Sequence, residues 1–201
     1  MPSYKLKYFE SKGRAEMCRL LFAMAGQEYE DIRYSQETWA AEKNNTPFGQ
    51  LPVLESDGQQ YGQSIAIINF LAREFGLHGQ TNLEQLQVDQ VMGIVQDIYT
   101  HLLKLFFEKD KAKQVAIHEE NNKTHYPKYL GFFEAILKKN GGEFYVGQKI
   151  SLADIAVFDT LDGKIDDSIV EGFPLVKANR EKVRTNEKIA QWLDKRPKTA
   201  H

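Results

Sequence analysis

The chain has 201 residues, a formal net charge of −2 and a single cysteine, Cys18. A charge balance so close to neutral gives no electrostatic reason to expect binding to nucleic acid or to an anionic membrane. One cysteine excludes an intramolecular disulfide, and nothing in the composition indicates an oxidising compartment. The opening residues are charged and lack the apolar core of a signal peptide, and no run approaches the roughly 20 apolar residues of a membrane span. We therefore expect a cytoplasmic protein.

The first part of the chain alternates short strands and helices. Apolar residues recur at helical spacing over residues 14–25, and Gly26 is a natural helix stop. The predicted elements, in chain order, are a strand at 5–9, a helix at 14–25, a strand at 29–34, a short helix at 38–44, two short strands on either side of Asp57-Gly58, and a helix at 65–75. This alternation predicts one parallel pair of strands followed by an antiparallel hairpin.

The stretch 47–66, PFGQLPVLESDGQQYGQSIA, combines three features that suit a ligand. Pro52 stands directly before the apolar pair Val53-Leu54, which places it at a strand edge or in a special turn, for which a cis peptide is one common reason. Gln63-Ser64 stands at a predicted helix start, where free N–H groups favour an anion, although simple capping by Ser64 or its neighbour is an alternative. Together these features fit a peptide-like ligand that carries a carboxylate.

The second part of the chain is predicted to be all helical. Residues 83–108 form a long amphipathic helix, and Pro127 should kink or restart a second helical stretch at 113–139. Ser151-Leu-Ala-Asp154 has the form of a capping box at the start of another helix, and helices at 175–184 and 187–194 follow. We therefore expect an α/β domain at residues 1–76, a linker at 77–82 and an all-α domain at 83–201.

Taken together, these motifs resemble the cytosolic glutathione S-transferases, and among them most closely the sigma class, which includes invertebrate glutathione transferases and haematopoietic prostaglandin D synthase. The resemblance covers essentially the whole chain. The residues that carry it are YKLKYF with Tyr8, GRAE with Arg14, Trp39 and Lys43, PFGQLPVLE, Gln63-Ser64, VQDIY with Asp97, SLAD and the late KRP. It implies a thioredoxin-like N-terminal domain, a helical C-terminal domain and glutathione as cosubstrate.

The resemblance also implies roles for individual residues. Tyr8, which by itself would sooner be taken for a core residue of the first strand, would donate its hydroxyl to the glutathione sulfur, and Arg14 would support the thiolate and the electrophile side of the cleft. The remaining glutathione-binding residues would be Trp39 and Lys43 at the glycine end, Gly49, Gln50, Leu51 and a cis Pro52 along the cysteinyl part, and Gln63 and Ser64 at the γ-glutamyl carboxylate. Asp97 would reach the γ-glutamyl ammonium of the partner subunit, so the active protein would be a homodimer.

A pocket for small hydrophobic electrophiles is expected on the inner faces of the long helices, with the candidates Tyr99, Leu103, Phe106, Ala156 and Thr160. No disulfide-exchange chemistry is expected, because the end of the first strand, Glu10 to Gly13, holds no cysteine. No metal site is expected, because the five histidines show no ligand spacing within one helix turn. Of the three carboxylates that bind a divalent cation in the vertebrate prostaglandin D synthase, two are missing here.

The leading interpretation is a detoxifying transferase that adds the glutathione thiolate to hydrophobic electrophiles. Two alternatives remain open at this stage. One is an isomerase that uses glutathione on a prostaglandin endoperoxide, although the tryptophan that lines the prostaglandin pocket is absent. The other is a non-catalytic binding protein of the ligandin or lens-crystallin type.

Overall fold

The structure is a computed structural model that describes residues 3–199. These residues form two compact units, one made of residues 3–77 and 187–199 and the other of residues 78–186. The strands are β1 (Tyr4–Phe9), β2 (Glu30–Tyr34), β3 (Val53–Ser56) and β4 (Gln59–Tyr61). The helices are α1 (Glu16–Ala25), α2 (Gln36–Glu42), α3 (Ser64–Glu74), α4 (Asn82–Phe107), α5 (Lys111–Glu120), α6 (Tyr126–Lys139), α7 (Leu152–Leu161), α8 (Asp167–Val170), α9 (Pro174–Arg184) and α10 (Glu187–Lys195).

The first unit is a four-stranded sheet with the strand order β2-β1-β3-β4. β1 pairs in parallel with β2, while the β1–β3 and β3–β4 pairs are antiparallel. The predicted β-α-β-α-β-β-α order is therefore confirmed. The hairpin turn is also as predicted, because Asp57 and Gly58 both have positive φ angles, of 49° and 81°, as a two-residue turn between twisted strands requires.

Helices α1 and α3 pack against each other in this unit. The side chains of Leu6, Leu20, Phe22, Val53 and Leu71 are almost completely buried and belong to the core of the first unit. Gly26 ends α1 in the left-handed conformation, with φ 70°, as the sequence predicted. The sheet and its helices therefore form a well-packed support for the loops after β1 and before β3.

The last helix, α10, packs against α1. Trp192 Nε1 and Arg196 Nη1 each donate a hydrogen bond to Glu16 Oε1, at 2.9 Å in both cases. From the sequence we expected all residues from 83 onward to belong to the helical domain. In the structure, residues 187–199 group with the first unit instead. The reason is physical: the amphipathic pattern of a helix indicates that one face is covered but not which element covers it.

The second unit is all helical, and α7 is its central helix. All ten residues of α7 are buried, and the helix packs against both α4 and α9. It begins with the predicted capping box, in which Asp154 Oδ2 accepts hydrogen bonds from the backbone N–H and the hydroxyl of Ser151, at 2.9 and 2.7 Å. The predicted restart at Pro127 is also present, since a π-helical turn over Asn121–His125 separates α5 from α6, and Pro127 lies in the first turn of α6.

Candidate functional site

The hydroxyl of Tyr8 lies against the loop that connects β1 to α1. Tyr8 is 9% exposed, and its hydroxyl oxygen accepts a hydrogen bond from the backbone N–H of Arg14 at 3.1 Å. A tyrosine hydroxyl is both donor and acceptor, so this geometry leaves its single proton available for donation to another group. The Tyr8 hydroxyl is thus a hydrogen-bond donor held in place by the backbone.

Gly13 permits this close approach. It has a φ of +41°, and a Cβ atom at this position would lie 2.5 Å from the Tyr8 hydroxyl oxygen. Any side chain would therefore collide with the phenol, and the backbone conformation itself disfavours residues other than glycine. The glycine of the GRAE motif is explained by contact with the tyrosine.

A polar cavity of about 510 Å3 opens on the same unit. Its lining contains two cationic side chains, those of Arg14 and Lys43, and no carboxylate. Such a surface favours an anionic ligand of moderate size. The lining residues are Phe9, Arg14, Trp39, Lys43, Phe48, Gly49, Gln50, Leu51, Pro52, Gly62, Gln63 and Ser64.

The cavity brings together nine of the ten residues that the sequence assigned to glutathione within this unit. The tenth, Tyr8, is not among the lining residues, but it is joined to Arg14 by the hydrogen bond described above. Phe9, Phe48 and Gly62 were missed, although each lies inside or beside a quoted motif. Phe48 is 62% exposed, and a Cβ atom on Gly62 would lie 2.6 Å from its ring. A glycine directly before Gln63-Ser64 was the available signal for this contact.

The start of α3 has the properties of an anion site. Gln63 has a φ of 72° and a ψ of 104°, and no side-chain hydrogen bond caps this helix start. Simple capping by Ser64 or its neighbour is therefore not observed. A non-glycine residue in such a conformation costs of order 1–3 kcal/mol, and residues of this kind cluster at ligand clamps. Arg14 Nη1 donates a hydrogen bond to the Ser64 hydroxyl at 3.4 Å. The guanidinium charge therefore lies beside the N–H groups of the first turn of α3, and both favour an anion there.

The opposite side of the cavity is formed by α2 and the loop before β3. Trp39 packs its ring on those of Phe9 and Tyr34, with centroid distances of 5.9 and 6.1 Å, so packing and ligand contact are compatible roles for it. The side chain of Lys43 passes close to Gly49, which has a φ of +59°. The Leu51–Pro52 peptide bond is cis, as the sequence led us to expect.

Beneath the loop between Tyr8 and Arg14 lies a group of buried charges on α1. Glu16 is 1% exposed and accepts hydrogen bonds from Arg19, Trp192 and Arg196. Burial by itself would raise the pKa of Glu16, but the hydrogen bonds from Trp192 and Arg196 and the charges of the two arginines outweigh it. The pKa of Glu16 is therefore lower than its ordinary value, and the residue is ionised at neutral pH.

In the second unit, the five residues proposed for the electrophile pocket differ in exposure. Phe106 is 56% exposed at the end of α4 and Leu103 is partly exposed, whereas Ala156 and Thr160 are completely buried within α7. Tyr99 is also buried and donates its hydroxyl proton to Asp159 Oδ2 at 2.9 Å. Buried side chains can contact a ligand only after neighbouring atoms move, so Leu103 and Phe106 are the accessible members of this group. Asp97 lies on the exposed side of α4.

Within residues 3–199, no group of three or more His, Cys, Asp or Glu side chains is arranged to hold a metal ion. Over the same residues, no helix combines the length and the apolar character needed to cross a membrane.

Comparison with known proteins agrees with this geometry. Residues 4–73 match the model of the glutathione S-transferase N-terminal domain, and residues 96–196 match that of the C-terminal domain. Among curated proteins, the chain is 39% identical to glutathione S-transferase 1 of Ascaris suum over the full length of both. The chain belongs to the glutathione S-transferase family, and it is an enzyme with a thioredoxin-like first domain and a helical second one.

Two solved structures extend the comparison. A Nu-class GST from Haemonchus contortus has a TM-score of 0.91 and 36% identity, with complete coverage of both chains. The prostaglandin synthase D of Nilaparvata lugens has a TM-score of 0.89 and 34% identity, covering 98% of this chain and 100% of the other. Similarity of this extent includes every element that positions the cavity.

Proposed function

We propose that the protein conjugates glutathione to hydrophobic electrophiles and that the Tyr8 hydroxyl stabilises the glutathione thiolate. The observation that carries the proposal is the hydrogen bond from the Arg14 N–H to the Tyr8 oxygen. Because the oxygen already accepts that bond, the phenolic proton is directed away from it and can be donated to a sulfur anion. The thiolate then attacks the electrophilic carbon with its electron pair and forms the thioether bond. In aromatic substitution the leaving group, chloride in the case of a chlorodinitrobenzene, departs with the electron pair of its bond to carbon; in addition the displaced π electron pair takes up a proton.

The energy required is of the size that one such hydrogen bond supplies. A free thiol has a pKa of about 8.5, so only about 3% is thiolate at pH 7. Lowering that pKa by about two units needs roughly 2.7 kcal/mol of preferential thiolate stabilisation. A hydrogen bond to a charged acceptor contributes about 1.5–3 kcal/mol. A neutral tyrosine is therefore sufficient, and the nearby positive charge of Arg14 acts in the same direction.

The cavity supplies recognition in this scheme. The glycine carboxylate of glutathione would pair with Lys43 beside Trp39, and the γ-glutamyl carboxylate would bind at the start of α3 through Gln63, Ser64 and the Arg14 guanidinium. The cysteinyl part would pair with the backbone of Leu51 in the manner of an added strand. The polar, carboxylate-free lining supports this arrangement, since each end of glutathione carries a carboxylate.

The working unit in this proposal is a homodimer. Asp97 is exposed on α4, and the partner subunit's Asp97 would meet the γ-glutamyl ammonium. We further propose a sigma-like class on the basis of the motifs, together with a cytoplasmic location and a role in detoxification. A monomeric mass in solution together with full activity would contradict the dimeric part.

The test is a Tyr8→Phe variant assayed with a chlorodinitrobenzene substrate. We expect kcat/KM at neutral pH to fall about 25-fold, because a return of the thiol pKa from about 6.5 to about 8.5 lowers the thiolate fraction at pH 7 from about 76% to about 3%, while glutathione affinity is retained. Tyr4→Phe is the matched control, because Tyr4 lies on the same strand and is buried against the rings of Phe22 and Phe75. Full turnover by Tyr8→Phe would contradict the assignment.

A glutathione-dependent prostaglandin isomerase is a second candidate, and its support is the similarity to the prostaglandin synthase D of Nilaparvata lugens. The same thiolate would attack one oxygen of a prostaglandin endoperoxide and break the O–O bond, leaving the other oxygen as an alkoxide. Loss of the proton from the carbon that bears the sulfur-bound oxygen would then form a carbonyl and release the thiolate, and the alkoxide would take up a proton. Comparing turnover of an endoperoxide with that of chlorodinitrobenzene separates the two activities. Glutathione binding without turnover of either substrate would instead support a carrier of the ligandin or crystallin type.

A further inference from the structure

The short loop of Ser11, Lys12 and Gly13 determines where the Tyr8 hydroxyl lies. On one side the loop continues into Arg14, whose N–H binds the hydroxyl oxygen at 3.1 Å. On the other side Gly13 touches the phenol so closely that a Cβ atom could not be added without displacing it. A shift of this loop would therefore move or release the hydroxyl.

The loop is held from beneath by Arg19, a fully buried residue of α1. Arg19 Nη1 donates to the carbonyl oxygen of Ser11 at 2.8 Å and lies 3.4 Å from that of Lys12. The Arg19 side chain thus binds backbone carbonyl groups of the loop. The side chains of Ser11 and Lys12 take no part in these hydrogen bonds. Neither the motif spacing nor the resemblance assigned a role to Arg19.

Two carboxylates hold the guanidinium in that position. Glu16 Oε2 lies 3.2 Å from Nη1, and both carboxylate oxygens of Asp31 lie within 3.2 Å of Nε. Glu16 is itself fixed by Trp192 and Arg196 of the C-terminal segment. Hydrogen bonds therefore run without a break from α10 through Glu16 and Arg19 to the loop beside Tyr8.

We propose that Arg19 is a positioning residue for the Tyr8 hydroxyl, and that the C-terminal helix α10 completes this support. The inference rests on the proposed role of Tyr8 in stabilising the thiolate. Arg19 does not contact glutathione in this scheme. It fixes the backbone of the loop, and the backbone fixes the hydroxyl.

The chemistry of the side chain favours positioning over simple stabilisation. A planar guanidinium can reach two carbonyls and two carboxylates at once, which a single ammonium cannot do. Arg19 Nη2 is nevertheless buried without a hydrogen-bond partner among residues 3–199. A buried ionic group with an unsatisfied nitrogen contributes little to stability, so its geometry beneath the loop is the feature that needs an explanation.

Arg19→Lys tests the proposal through the ionisation of bound glutathione. The pH midpoint of thiolate formation, followed by the ultraviolet absorbance of the thiolate in the enzyme–glutathione complex, is expected to rise by about one unit. That rise is a tenfold loss of thiolate below the midpoint. The KM for glutathione should change by less than about twofold, because the cavity is untouched, and activity should recover at high pH.

Arg33→Lys is the matched control. Arg33 also pairs with Asp31, at 2.9 Å from its Nε and 2.8 Å from its Nη2, but none of its hydrogen bonds described here reaches the loop. The control should therefore leave the midpoint unchanged. A folded Arg19→Lys with the wild-type midpoint would overturn the proposal, as would an effect confined to the KM for glutathione.

If Arg19→Lys does not fold, the variant Trp192→Phe tests the proposal instead. Trp192→Phe keeps an aromatic side chain but removes the N–H donated to Glu16, and it should raise the midpoint by a smaller amount in the same direction. An unchanged midpoint in Trp192→Phe would then overturn the proposal. Tyr8→Phe, measured alongside, separates the failure of one hypothesis from that of the other. If the midpoint of Tyr8→Phe equals that of the wild type, the proposed role of Tyr8 fails. If the midpoint shifts in Tyr8→Phe but not in the Arg19 and Trp192 variants, only the proposed role of Arg19 fails.

Discussion

Glu16 in the first unit and Asp154 in the second are both buried carboxylates, but their partners differ. Glu16 is surrounded by the cations Arg19 and Arg196 together with Trp192, and its pKa is lowered. Asp154 accepts its hydrogen bonds from neutral donors, namely Ser151, the Tyr145 N–H and the Asn179 amide. Burial raises the pKa of Asp154, and those hydrogen bonds only partly oppose the rise.

The difference shows that burial alone does not define what a carboxylate does. Asp154 joins the start of α7 to its neighbours in the core of the second unit, so its contribution is to folding. Glu16 is one step from the loop that holds Tyr8, so its contribution extends to chemistry. The two residues should therefore respond differently to mutation and to acid.

The largest expected effect is on the stability of the second unit. Asp154→Ala leaves the Tyr145 N–H and the Asn179 amide without their acceptor in the core, at about 1–3 kcal/mol for each buried group. We expect the free energy of unfolding to fall by about 3 kcal/mol, measured by urea denaturation. Asp110→Ala is the control, because Asp110 caps the exposed start of α5 and should contribute only about 1 kcal/mol. Equal losses of unfolding free energy in Asp154→Ala and Asp110→Ala would show that burial of the capping residue adds nothing to its contribution.

The next effect is on activity in the first unit. Gly13→Ala forces the Tyr8 hydroxyl away from the Arg14 N–H, and kcat/KM at neutral pH should fall about tenfold, or roughly 1.4 kcal/mol. Gly58→Ala is the matched control, since Gly58 also has a positive φ, +81°, but a Cβ atom there meets nothing within 4 Å. It should lower stability by about 1 kcal/mol and leave activity intact. Comparable activity losses in both variants would attribute the effect to backbone strain alone.

The smallest expected effect is on the change in unfolding free energy as the pH falls, and it tests the comparison of Glu16 with Asp154 directly. The folded-state pKa of Glu16 is below its ordinary value of 4.5, so its stabilising contribution is complete above that pH and is lost as the pH falls through the folded-state pKa. The folded-state pKa of Asp154 is above 3.8, so the penalty for its charge is relieved as the pH falls through that raised pKa.

Opposite changes are therefore expected in the two neutral variants. Glu16→Gln should flatten the loss of unfolding free energy between about pH 5 and pH 3, and Asp154→Asn should steepen it. Urea denaturation of the wild type and both variants across this range provides the measurement. Changes of the same sign in both variants would contradict the assignment of opposite pKa shifts.

Several local features in both units could be predicted from short stretches of sequence. Asp57-Gly58, Gly26 and the Ser151–Asp154 box act through a single backbone angle or through bonds between residues three apart, so they function wherever they occur. Nine of the twelve cavity residues followed from the motifs that carry the family resemblance, whereas Phe9, Phe48 and Gly62 did not. Their predicted roles toward glutathione remain predictions.

Other features could not be predicted from short stretches of sequence. The Trp192–Glu16 hydrogen bond joins residues 176 positions apart, and the pattern of α10 was equally compatible with packing in the helical domain. The burial of Ala156 and Thr160 was missed because α7 is covered on all sides, while a sequence pattern does not distinguish a core face from a ligand-binding face.

The sequence by itself determined the order of the elements, the family and the polar residues of the cavity, because these depend on short-range backbone preferences and on side-chain chemistry. Tertiary structure alone decided three further points: the conformation of Gln63 at an uncapped helix start, the contact of Gly13 with the Tyr8 hydroxyl, and the placement of Arg19 beneath the loop. Each of these depends on where a second segment of the chain lies. That position is set by packing of the whole unit rather than by any local pattern.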